Sequence, residues 1–147
     1  LPFSTGIIGR QLPIEKIRAG LRGIRGELKA ENLEQAAMAI MTTDTRPKYV
    51  AREVAQATIN GIAKGAGMIE PDMATMLAFI LTDARISSPL LQEMLKRAVD
   101  KSFNRISIDT DTSTSDAVVL MANGLAGEVD LRRFEVALDE VCLYLAR

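Results

Sequence analysis

Histidine is absent from this sequence, and that absence narrows the chemistry more than any residue present. No Ser-His or Cys-His nucleophile system can be assembled within the chain. A hydrolase or transferase built from it must take its base from a lysine, a carboxylate or a free α-amine. Cysteine is scarce too: Cys142 stands alone. One thiol closes no internal disulfide, which fits a reducing compartment. Without imidazole to join it, no metal site is expected. Basic runs are also missing. Lys and Arg are scattered, so no concentrated face exists to neutralise phosphates, and no nucleic-acid partner is expected. No apolar stretch reaches the length of a bilayer span. The opening residues LPFSTGIIGR have neither the basic start nor the long apolar centre of a secretory leader. The expectation is a cytoplasmic protein with no membrane partner.

What is present is ordinary for a globular chain. The 147 residues are 48% hydrophobic and 25% charged, with a net charge of −1. That is enough for one domain, residues 1–147, with a real core. Pro13 opens a predicted helix to about Leu28, with Ile14, Ile17, Leu21, Ile24 and Leu28 at helical spacing. Gly20, Gly23 and Gly26 recur within it at a cost in helix propensity, which suggests close approach of another backbone. A second helix is predicted from Asn32 to Met41, and a strand near Ala57–Ile62. Met76 to Leu81 is continuously apolar and reads as a strand buried on both faces. Pro89 begins a helix with Leu90, Leu91, Met94, Leu95 and Val99 inward, and Ile106–Asp109 reads as a short strand. A helix after Thr112 is expected to carry Val118, Val119 and Met121 and to close near Asn123-Gly124. A last helix from about Asp130 places Phe134, Leu138, Val141 and Leu145 on one side, with Cys142 beside them as a core thiol. Helices alternating with buried strands define an α/β or α+β class with a covered sheet.

Three motifs invite chemical readings. The glycine-rich run from Lys64 to Thr75 lacks the order of a P-loop, and Gly65 and Gly67 lack the third glycine of a dinucleotide fingerprint. The run Asp109 to Asp116 fails as a calcium loop, which would want glycine at Thr114 and glutamate at Leu120. A polar loop capping a following helix accounts for Thr112 to Asp116. Thr75 is ordinarily just a strand residue. It comes after a Gly- and Pro-containing loop, however, and such a loop can hold the strained backbone that an intramolecular attack requires.

Six blocks in one order are more specific than any of these motifs. They are Ser4–Gly9 (STGIIG), Met41–Thr45 (MTTDT), Lys64–Ile69 (KGAGMI), Pro71–Leu77 (PDMATML), Ser102–Asn104 (SFN) and Asp109–Asp116 (DTDTSTSD). They resemble the signature blocks of the ornithine acetyltransferase family, also called bifunctional glutamate N-acetyltransferase. The resemblance runs from Ser4 to Gly127. The Asp109 block and Asn123–Asp130 are also similar to a paralogue found in clavulanic acid gene clusters. Family members extend beyond both ends, to a Gly-Glu-Gly-Ala segment and C-terminal substrate-binding residues. The chain therefore looks like a fragment, with a trimmed hairpin between Thr45 and Lys64.

The resemblance implies a mixed sheet covered by helices, of the self-processing, N-terminal-threonine-nucleophile kind, incomplete at both ends. It implies cleavage between Ala74 and Thr75, into residues 1–74 and 75–147. The α-amine freed on Thr75, with a reference pKa of roughly 8, is then a base for its own hydroxyl. Thr75 would carry an acetyl group from N-acetylornithine to glutamate, in arginine biosynthesis, with no cofactor and with acetyl-CoA as a conceivable further donor. Thr5 and Gly6 match the family's oxyanion hole, where preorganised donors are worth about 3–4 kcal/mol each. Lys64 and Thr42 match its substrate contacts, although Thr43 competes with Thr42 for that role. Without the resemblance Lys64 would read as a solvated surface lysine. The assembly implied is a dimer of two-chain protomers. Two other readings remain open on sequence: a self-processing threonine amidase or aminopeptidase using water as acceptor, and a non-catalytic fragment.

Overall fold

Residues 57–62 alternate buried with half-buried side chains, as a strand with one face on a core does. The short break at Ala55-Gln56 joins them to a preceding strand rich in β-branched and aromatic positions. The computed structural model describes Phe3 and residues 9–29, 31–65, 75–106 and 115–147. In it, β1 (Lys48–Val54) pairs antiparallel with β2 (Ala57–Lys64), Val54 opposite Ala57. Ala55 takes a φ of 54°, the positive φ that tight hairpin turns demand. β3 (Leu77–Ala84) adds antiparallel to β2, and β4 (Ala117–Gly127) adds parallel to β3, giving the order β1-β2-β3-β4. A parallel join needs a long crossover, and α3 (Ser88–Lys101) lies within it. The class is α+β with a mixed sheet, as expected.

One face of this sheet meets α3 and α4 (Leu131–Leu145). Leu91, Met94, Leu95 and Ala98 of α3 join Phe134, Leu138, Val141, Cys142 and Leu145 of α4 in the core. From β2, Ile59 and Ala63 point into the same cluster. A Cβ at Gly61 would stand 2.8 Å from Leu145 Cδ1 and 3.0 Å from Val141 Cγ1, so α4 seats against bare backbone there. Asp130 starts α4 as expected: its carboxylate accepts the Arg132 and Arg133 N–H groups at 2.9 and 3.0 Å. Those bonds, Arg133's foremost, hold its pKa below the ordinary value. Cys142 is fully buried, and burial first, then Asp139, pushes its thiol up to about 12.

Several local expectations are corrected. The helix predicted after Thr112 is β4: Val118, Val119 and Met121 pair with Ala78, Phe79 and Leu81. A short apolar run cannot by itself separate helix from strand, and here pairing with β3 decides. Asn123-Gly124 does not end the element. Register jumps from Thr82↔Ala122 to Ala84↔Gly127, a bulge that sets Asn123 to Ala126 opposite Asp83 alone. β3 is not buried on both faces, because Leu81 is 43% exposed. Ile106 lies in no strand; a 3₁₀ turn over Phe103–Arg105 precedes it, and residues 107–109 lie outside the described residues.

The first helix is also shorter than its apolar spacing suggests. α1 (Ile14–Leu21) stops before Gly23, which adopts a φ of +78°, and a separate 3₁₀ turn covers Ile24–Glu27. A Cβ at Gly20, Gly23 or Gly26 would meet nothing within 4 Å, so no backbone approaches there. The stripe from Ile14 to Leu28 is exposed. α2 (Leu33–Ile40) starts after Asn32 at its N-cap position and packs on β1 and β2. No helix among the described residues is long and apolar enough to cross a membrane.

Candidate active site

Strand alternation puts the Lys64 side chain on the face of Asn60 and Ile62, opposite α3 and α4. Across the sheet, Lys64 stands beside Leu77, and Leu77 beside Ala117. β2 therefore ends where β3 and β4 begin, and Thr75 sits two residues before the first residue of β3. Lys64 is not a solvated surface lysine. It is 1% exposed, the largest fully buried side chain among the described residues.

The turn after α2 supplies its neighbours. Lys64 Nζ donates to Thr42 Oγ1 over a long 3.4 Å. Asp44 accepts the Gly65 N–H at 2.8 Å and, more weakly, the Thr42 N–H at 3.4 Å. The Gly65 carbonyl accepts from Lys48 Nζ at 3.0 Å. Gly65 is thus gripped on both sides, at a φ of +127° that L side chains rarely adopt. A Cβ there would lie 3.1 Å from Met76 Cα. Only glycine lets the end of β2 come this close to the entry of β3. Met76 is gripped in turn: its N–H donates to Asp116 Oδ1 at 2.8 Å, and its carbonyl accepts the Ala117 N–H at 3.0 Å.

Burial lowers the Lys64 pKa, while Asp44 and then Asp116 push it back up. An ammonium in this position has lost water and, among the described residues, holds one distant hydroxyl in exchange. It is suited to receive an anionic oxygen, such as a carboxylate.

Of the residues singled out from sequence, Thr42 and Lys64 are brought into contact, and Thr75 lies at the same sheet end. Thr5, Gly6 and Ala74 lie outside the described residues. Phe3 stacks edge-on against Phe79, ring centres 5.5 Å apart at 84°, on the sheet face that carries Lys64. Sequence reasoning missed Asp44 and Asp116 as parts of this site. Both stand inside two of the six ordered blocks, but their partners, Gly65 and Met76, are 21 and 40 residues away in the chain. Such pairings carry no local signal.

The fold and the site together define an α+β domain with a lysine- and threonine-bearing site at one end of a mixed sheet. The ArgJ family profile matches residues 1–147, and the chain belongs to that family. It is 59% identical over 138 residues, 94% of its length, to the arginine biosynthesis bifunctional protein ArgJ 2 of Nostoc sp.. It is 54% identical over all 147 residues to the ArgJ 2 protein of Clostridium acetobutylicum. It is 54% identical over 144 residues, 98% of its length, to the glutamate N-acetyltransferase Oat2 of Streptomyces clavuligerus. The chain spans only 36%, 38% and 37% of the length of these curated relatives, respectively.

Proposed function

We propose that this chain is the part of an arginine-biosynthetic acetyltransferase that carries its nucleophile, Thr75, and that it moves an acetyl group from N-acetylornithine to glutamate. The observation that carries the reading is the buried Lys64 on the strand next to the one Thr75 enters. A desolvated ammonium at the sheet end where Thr75 leads into β3 suits a substrate bearing both a carboxylate and an acyl group. Arginine biosynthesis in the name of one relative and glutamate N-acetyltransferase in that of another support the pathway and the reaction class.

The chemistry proceeds in two stages. In the first, Thr75 Oγ attacks the Ala74 carbonyl carbon, the Ala74–Thr75 C–N bond breaks, and the nitrogen leaves protonated as the Thr75 α-amine. Water then hydrolyses the resulting ester, freeing the hydroxyl. In the second, the α-amine takes the Thr75 hydroxyl proton as Oγ attacks the acetyl carbon of N-acetylornithine. Ornithine departs with that proton, leaving acetyl-Thr75. The glutamate amine attacks the ester, and Oγ recovers a proton as N-acetylglutamate leaves. Thr5 and Gly6 are the oxyanion donors in this scheme, and Phe3, two residues before Thr5, stacks against Phe79 on the Lys64 face. Lys64 and Thr42 hold the α-carboxylate that both substrates share.

The test is the mass of the chain that begins at Thr75, taken from the full-length enzyme after incubation with N-acetylornithine alone. An acetyl-sized increment that glutamate discharges is expected. Steady acetate release with no adduct would instead indicate an amidase, and an uncleaved inert chain would indicate a non-catalytic segment.

A further inference from the structure

The run Asp109 to Asp116 reads from sequence as a loop capping a helix, yet the element after it is the strand β4. Its last carboxylate has another occupation. Asp116 Oδ1 accepts the Met76 N–H at 2.8 Å, and the next residue, Ala117, donates its N–H to the Met76 carbonyl at 3.0 Å. The backbone ladder between β3 and β4 begins at Leu77↔Ala117. Asp116 therefore continues the ladder one step beyond its first pair, with a side chain in place of a backbone carbonyl.

We propose that Asp116 is a positioning residue for Thr75, holding the peptide that links Thr75 to Met76. This rests on the reading of Thr75 as the nucleophile. The Met76 N–H lies in the peptide plane that also contains the Thr75 Cα, and that plane is rigid. Pinning the N–H to Asp116 fixes where the Thr75 Cα stands. From that pinned peptide the hydroxyl is set by rotation about Cα–C and by χ1, and β-branching leaves the latter few choices. Once the bond to Ala74 is cut, the Thr75–Met76 peptide is the sole covalent tether of the nucleophile. A hydrogen bond across that tether then governs how often Oγ occupies the attacking position. Gly65, packed against the Met76 Cα, closes off movement on the side of β2. In this assignment Asp116 acts on Thr75 through Met76, whose N–H it holds.

The distinguishing experiment uses the full-length enzyme with Asp116→Ala, Asp116→Asn and Asp116→Glu, beside Thr75→Ala. Self-cleavage is timed by mass, and kcat and KM are measured for N-acetylornithine and glutamate. Asparagine keeps an oxygen at the Oδ1 position, so Asp116→Asn should cleave and turn over within about threefold of the wild type. Alanine removes the acceptor and glutamate displaces it by a methylene. Both should lower the cleavage rate and kcat about tenfold or more, with KM for both substrates unchanged. Wild-type rates in Asp116→Ala and Asp116→Glu would overturn the assignment. So would an active Asp116→Glu beside an impaired Asp116→Asn, since charge toward Lys64 would then be what matters. A raised KM at unchanged kcat would overturn it too. If Asp116→Ala does not fold, the Asn and Glu comparison decides alone. Cleavage persisting in Thr75→Ala sinks the nucleophile reading itself. An inert Thr75→Ala beside normal Asp116 variants sinks only the role of Asp116.

Discussion

Gly65 and Met76 meet backbone to backbone where β2 leaves the sheet and β3 enters it, and a single added methyl on Gly65 would stand 3.1 Å from the Met76 Cα. That contact joins the lysine end of the site to the threonine end. Gly65→Ala would force both a left-handed φ and a backbone displacement. We expect a loss of about 1–3 kcal/mol in the full-length chain, read from denaturant unfolding. Self-cleavage should slow as well, because the displaced atom belongs to the residue next to Thr75. An unchanged unfolding midpoint would show that the two strand ends are not held together in this way.

Lys64 should be important to function and unfavourable to stability. Its folded pKa is lowered from 10.5, chiefly by burial. Between the folded value and the unfolded one, the unfolded chain binds more protons, so stability rises as pH climbs through that window. Lys64→Met removes the buried charge while keeping the stem's bulk. The full-length variant should unfold at or above the wild-type temperature at pH 7, and the gap should narrow as pH approaches 10.5. KM for N-acetylornithine and glutamate should rise together, with Lys64→Arg recovering only part. Unchanged KM values would return this lysine to a purely structural role.

Asp44 offers a different pH test. Among the neighbouring charges it does most to raise the Lys64 pKa. Asp44→Asn retains an oxygen for the Gly65 N–H but removes that charge. Lys64 should then lose its proton at lower pH, so the alkaline rise in KM should begin earlier than in the wild type. Kinetics of Asp44→Asn across pH 6 to about 10 read this directly. A profile that does not move would mean that Asp44 serves the backbone alone.

Thr75→Ser keeps the hydroxyl and, after cleavage, the amine. It should cleave and transfer acetyl groups at reduced rates, while Thr75→Ala does neither. One hydroxyl makes both attacks, so the two activities should fall together across any set of substitutions at this position. A variant that cleaves normally yet cannot be acetylated would separate them and argue for a second nucleophile.

Cys142 should be inert. Full burial and a thiol pushed up to about 12 leave essentially no thiolate at neutral pH. An aromatic disulfide reagent should find the Cys142 thiol of the native protein unreactive and modify it on denaturation. Rapid native modification would mean that α4 does not seat against Gly61 as described.

Much of this protein was legible in its residues. The absence of histidine limited the base, and the apolar spacing of Phe134, Leu138, Val141 and Leu145 placed α4 with its cap at Asp130. The ordered blocks around Thr5, Thr42, Lys64 and Thr75 pointed to the family, because block order along a chain is a one-dimensional property. What required the tertiary structure is equally specific. Val118 to Met121 could form helix or strand until β3 offered a ladder. Without the family resemblance Lys64 would read as solvated by its charge, yet it is buried, with Thr42 of the turn after α2 at its Nζ. Asp44 and Asp116 looked like loop residues because their partners are remote in sequence, at Gly65 and Met76. Local propensity and periodicity act within a few residues, whereas burial and hydrogen bonds across a sheet are decided only when distant segments meet.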